Sequence, residues 1–184
     1  VFDSIRQNLF LRALRSLLDA SKRQRKAYSF SGAKRIGVLF DATDADTGKE
    51  LMSLIAQLER KGKEVKPFGF LKKKEAEIAF PYSVFTQKDC SWTGIPKSDE
   101  CDDFAEKKFD LLVVINPEET MQVHWLACAS QASMKISMPC ELPHDFDMQL
   151  ETPGKKGLPF FFEQLAFYLD KIELGSKHGS TNAV

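Results

Sequence analysis

Three carboxylates, Asp41, Asp44 and Asp46, follow a β-rich run at residues 35–40, and Asn116, Glu118 and Glu119 follow the apolar run Leu111, Leu112, Val113, Val114 and Ile115. In open α/β sheets ligands gather beyond the carboxyl ends of the strands. Asp41, Thr43, Asp44, Asn116 and Glu118 are therefore the candidate ligand-binding residues. Brought together, such carboxylates suit a hard cation such as Mg²⁺. Acids at helix starts also have a local use, capping backbone N–H groups and meeting the positive end of the helix dipole for about 0.5–2 kcal/mol. Capping weighs more here, so no metal site is assigned. The Asp-x-Asp-x-Thr pattern of haloacid dehalogenases is not supplied by Asp41-Ala42-Thr43-Asp44. GxGxxG and GxxxxGK[ST] are both missing, and three acids in the first loop repel a phosphate, so no nucleotide cofactor is expected.

Nucleophiles are few. His124 and Cys128 stand at i, i+4 on one helix face, a spacing open to a Cys-His couple but more often found as core packing with a satisfied imidazole. Cys140 and His144 flank a short loop, and two ligands do not make a zinc site. Trp92, in the long loop at residues 86–96, is the one aromatic expected to be exposed where loops carry function. It is suited to stack on a base or anchor a protein, or else to cover the edge of the sheet.

The net charge of zero hides an asymmetry. Residues 1–35 hold nine Lys/Arg against Asp3 and Asp19, a balance of +7, which leaves −7 on the rest. Arg12, Arg15, Lys22, Arg23, Arg25 and Lys26 are the candidate partner-binding residues, with RNA or a ribonucleoprotein preferred to an anionic membrane surface. The alternatives are a helix packed on the body with its charges merely solvated, and an oligomer whose arms pair through their leucines.

These residues need elements to position them. Residues 2–26 place Phe2, Ile5, Leu9, Ala13, Leu17 and Ala20 on one helical face, widened by Phe10, Leu14 and Leu18. Strands are expected at 35–40, 64–70 (with Pro67 arguing for an edge), 82–85, 109–115, 134–138 and, more weakly, 147–150. Helices are expected around Leu51, Leu54, Ile55 and Leu58 with Gly62 as the stop, from Ser98 to residue 108, after Thr120 with Met121, Trp125 and Cys128 inward, and at 158–174. Residues 72–75 read as a solvated connection. The alternation gives an α/β fold, a Rossmann-like or flavodoxin-like three-layer sandwich with a mostly parallel sheet of about five strands. The expected division is a basic helical arm and linker at 1–34, the α/β domain at 35–174 and a flexible tail at 175–184.

The segment Arg35-Ile36-Gly37-Val38-Leu39-Phe40-Asp41-Ala42-Thr43-Asp44 behind a basic helix, with Glu59-Arg60-Lys61-Gly62-Lys63-Glu64-Val65, resembles a family of short bacterial proteins of unknown function. Residues 85–92, Gly94-Ile95-Pro96-Lys97 and Phe109-Asp110-Leu111-Leu112 resemble its further shared segments. The resemblance implies the α/β architecture and a bacterial cytoplasm, and no activity. A hydrophobic fraction of 43% and a charged fraction of 28% over 184 residues fit one globular domain. No apolar run reaches the roughly 20 residues of a transmembrane helix. Four cysteines without a CxxC pair fit free thiols in a reducing cytoplasm. The function that follows is a non-enzymatic binding protein acting through its basic helix. The alternative is a small-ligand- or Mg²⁺-dependent enzyme at the carboxyl edge of the sheet.

Overall fold

A computed structural model describes residues 2–72, 80–151 and 157–178 of the chain. The elements run α1 (Phe2–Ala20), β1 (Arg35–Asp41), α2 (Ala45–Arg60), β2 (Glu64–Leu71), β3 (Ser83–Thr86), a 3₁₀ turn at Gln87–Asp89, α3 (Asp99–Glu106), β4 (Leu111–Ile115), α4 (Met121–Ala129), β5 (Met134–Ser137), β6 (Met148–Gln149) and α5 (Leu158–His178). Six strands, one more than the approximate five expected, form a single sheet in the order β3-β2-β1-β4-β5-β6. Every pairing is parallel.

The all-apolar strand β4 lies inside the sheet and is buried along its whole length, as its sequence requires. Strand β2 is not an edge strand, contrary to the inference from Pro67, because β3 pairs on its outer side. That pairing begins only at Phe68, so Pro67 sits where β2 still has one neighbour, and its missing N–H is tolerated there. At Gly37 a Cβ would stand 2.9 Å from the Phe109 ring; glycine lets that ring lie against β1. Gly62, at φ +80°, ends the turn after α2 as its position predicts.

Helices α2 and α5 cover one face of the sheet through Leu51, Ile55, Leu58, Phe161 and Leu165. The other face takes α3 and α4 through Phe104, Val123, Leu126 and Ala127. Met121, Trp125 and Cys128 of α4 turn inward as their spacing suggests, but not onto the sheet. They point the opposite way, into a third cluster built on Phe10 and Leu14 of α1. Helix α4 is therefore covered on both faces, by the sheet on one and by α1 on the other. Phe10 and Leu14 have no exposed surface, and burying side chains of this size stabilises by about 1.5–3 kcal/mol each. The basic helix is thus a packed outer layer, with Leu11, Leu17 and Leu18 also turned toward the body, while Ile5 and Leu9 stay exposed.

Helix α1 stops at Ala20 rather than continuing to residue 26. The next residues are drawn out along the amino-terminal edge of the sheet: the Lys26 amide donates to the Ser133 carbonyl at 3.0 Å. The Arg23 guanidinium donates to Asp145 at 3.1 Å and Asp147 at 2.8 and 3.0 Å, and to the carbonyls of Ala132, Ser133 and Asp145. Lys135, fully buried on β5, donates through Nζ to both Asp145 oxygens at 3.0 Å and to the Cys128 carbonyl at 2.8 Å. These cations replace a crossover helix between β5 and β6 by fixing the connecting loop with hydrogen bonds. Asp110 holds the start of β1, accepting from the Lys34 and Arg35 amides and the Arg35 guanidinium.

Helix α5 runs past its expected end to His178, into the segment read as tail. The remainder of that tail, the connection beyond Lys72 and the side chain of Ile172 lie outside the described residues.

Candidate functional site

Strands β1 and β4 are neighbours, and their chains leave the sheet toward opposite faces, β1 into α2 and β4 into α4. Loops that diverge in this way leave a crevice at the carboxyl edge. A cleft of about 930 Å³ lies there, and Asp41, Thr43, Asp44 and Glu118 line it together.

Each loop is shaped by its own polar side chains. Asp41 accepts the Thr43 amide at 2.9 Å and the Thr120 hydroxyl at 2.5 Å, so one carboxylate ties the two diverging loops. Asp44 caps α2, accepting from the Asp46 and Thr47 amides and the Thr47 hydroxyl. The Thr47 hydroxyl is the largest influence holding its pKa below the ordinary aspartate value, followed by the two amides. Asn116, largely buried, does not reach into the cleft. It brackets Thr120, accepting from its amide and donating to its carbonyl, and so shapes the turn beneath the site. Glu119 adopts the left-handed φ of +47° and accepts the Glu141 amide.

The remaining walls include residues that no local sequence pattern marks. Arg6 reaches the cleft from the first turns of α1, Lys72 from just beyond β2, Gln87 from the turn after β3, and Met121 and Gln122 from α4. Gln122 donates to Gln87 at 3.0 Å, joining two of these walls. Arg6 counted only as one basic residue among nine, and Lys72 only as part of a solvated connection. Their meeting depends on α1 lying over α4. Among the described residues no group of three or more His, Cys, Asp or Glu side chains is placed to hold a metal ion.

Trp92 stands apart from the cleft, 68% exposed at the tip of its loop. The tip is tied down: Ser91 and Ile95 exchange backbone and side-chain hydrogen bonds, Gly94 turns at φ +88°, and Ile95 packs into the layer between α1 and α4. The indole is thus displayed from a fixed platform beside α1.

His124 and Cys128 form no couple. The His124 Nε2 meets the Pro143 carbonyl at 2.9 Å, and the Cys128 thiol points at the same oxygen. Burial lowers the His124 pKa and pushes the Cys128 thiol up to about 12. Cys140 accepts a hydrogen bond from Gln149, while His144 accepts the Phe146 amide.

Of the six basic residues singled out in the arm, Arg12, Arg15, Lys22, Arg25 and Lys26 are exposed. Arg25 approaches Asp147 at 3.5 Å with 60% of its side chain exposed, and Lys26 stands over the Tyr28 ring. Arg23 is not available to a partner, because its side chain is 1% exposed and every direction of its fork is engaged inside the fold.

A parallel six-stranded sheet in this order, with a cleft between the first and fourth strands, defines a Rossmann-type α/β protein. The chain belongs to DUF6913, a family of unknown function whose model matches residues 6–172, so the match takes in most of α1 as well as the sheet. No curated protein matches the chain. Among the described residues no helix is long and apolar enough to cross a membrane.

Proposed function

We propose that this chain is a cytoplasmic binding protein that engages RNA or a ribonucleoprotein through the outer face of α1 and the linker behind it. The observation that carries this reading is the division of α1. Its leucine and phenylalanine face is packed on α4, while Arg12, Arg15, Lys22, Arg25 and Lys26 face outward. A bilayer or a second arm would draw on the apolar face, most of which α4 already occupies, leaving Ile5 and Leu9 exposed. A polyanion needs the cations alone, together with counterion release. Trp92, held rigidly beside this layer, adds a ring on which an unpaired base can stack, and such stacking contributes about 1–3 kcal/mol.

Fluorescence anisotropy with labelled single-stranded RNA tests the proposal. The variant carrying Arg12→Gln, Arg15→Gln, Lys22→Gln and Lys26→Gln is expected to bind roughly two to three orders of magnitude more weakly near 0.1 M salt. Equal binding by the variant and the parent chain would refute the basic face as the interface. A second reading, small-ligand chemistry at the carboxyl edge, is favoured by the cleft itself. Its Mg²⁺-dependent form finds no ligand set among the described residues.

A further inference from the structure

The switch-point cleft holds opposite charges that do not neutralise one another. Arg6 and Lys72 line it with Asp41, Asp44 and Glu118; Asp44 is engaged in capping α2, and none of the ion pairs formed among the described residues joins either cation to any of the three carboxylates. Arg6 comes from α1 and Lys72 from just beyond β2, whereas Asp41 ends β1 and Asp44 and Glu118 come from the two loops that diverge across the crevice. Asp41 keeps acceptor capacity after receiving Thr43 and Thr120, since each carboxylate oxygen has a second lone pair. Phe70 and Met121 add apolar surface to the same lining. The volume, about 930 Å³, falls within the usual range of small-molecule sites.

We propose that this cleft binds a small zwitterion of the α-amino-acid class, its ammonium received by Asp41 and Glu118, its carboxylate by Arg6 and Lys72, and an apolar substituent against Phe70 and Met121. A ligand carrying both charges satisfies both sets of groups at once. A simple anion such as phosphate meets the cations but is opposed by the carboxylates, and a divalent metal meets the reverse. The site is separate from the RNA-binding face, because Arg12, Arg15, Lys22 and Lys26 do not line it.

The test is thermal unfolding of the full chain with each free amino acid, with their N-acetyl and carboxamide forms, and with inorganic phosphate. At about a hundredfold excess over Kd, a bound ligand raises Tm by several degrees. The expected result is such a rise with at least one free amino acid, lost when either charge is blocked. Arg6→Gln and Glu118→Gln are expected to keep the unliganded Tm and each to weaken that ligand about tenfold or more. A blocked form or phosphate that stabilises as well as the free amino acid would overturn the proposal, as would no rise with any free amino acid. Loss of RNA binding in the Arg12, Arg15, Lys22 and Lys26 variant with the amino-acid response retained would separate the two sites.

Discussion

Replacing Arg23 by glutamine probes how α1 and its linker are built into the body. The guanidinium is 1% exposed and meets Asp145 and Asp147, which are themselves only 10% and 17% exposed. Glutamine removes the charge and most of the fork, leaving Asp147 without its principal partner and Asp145 with Lys135. Breaking a buried ion pair from one side costs about 3–5 kcal/mol. For a chain of this size that is a fall in Tm of roughly 6–20 °C. Arg12→Gln, on the exposed face, is expected to stay within about 0.5 kcal/mol of the parent. Arg23→Lys keeps the charge without the fork and falls between them. Urea unfolding gives all three values from the midpoints at constant m. An Arg23→Gln loss within about 1 kcal/mol of the Arg12→Gln loss would refute the network as a determinant of stability.

Acid sensitivity follows from the same groups. Burial raises the pKa of Asp147 and of Asp110, but hydrogen bonds outweigh it, from Arg23 and the Lys135 amide to the first and from the Lys34 and Arg35 amides and the Arg35 guanidinium to the second. Both carboxylates are held below 3.8. The unfolded chain then binds more protons in that window. The stabilisation is complete above pH 3.8 and is lost as pH falls through the lower folded values. Asp147→Asn is expected to flatten the acid limb of a Tm–pH curve, and an unchanged slope would contradict the assignment. Thiol titration of the native protein is expected to reach Cys140 first, because Cys90, Cys101 and Cys128 are buried; rapid labelling of Cys128 would contradict its packing. Phe10→Ala is expected to cost about 3–5 kcal/mol and to change Trp125 fluorescence, since the two rings lie 5.6 Å apart. A loss of under about 1 kcal/mol would mean that α1 is not packed on α4.

Much of the sheet was legible because its strands carry local signals. The run from Leu111 to Ile115 is apolar on both faces, as an internal parallel strand must be, and Gly62 stops α2 for a backbone reason confined to that turn. Contacts decided the rest. Met121, Trp125 and Cys128 share a helical face in sequence, but whether that face meets the sheet or another helix depends on α1, more than a hundred residues away. Arg23 looked like its basic neighbours because its acceptors at Asp145 and Asp147 lie 122 and 124 residues further on. Asp41 and Glu118 were placed at the carboxyl edge by their positions after strands. Arg6 and Lys72, which give the cleft its opposite charges, had no local pattern to mark them.

The most direct test of the RNA-binding account is the dependence of RNA affinity on salt for the parent chain and for Arg12→Gln, Arg15→Gln, Lys22→Gln and Lys26→Gln taken singly. The parent is expected to give a linear fall of log K with log salt, and each substitution to reduce the slope by about 0.7, the value for one phosphate contact on a single strand. A slope near zero in the parent, or slopes unchanged by all four substitutions, would contradict a polyanion bound on the outer face of α1.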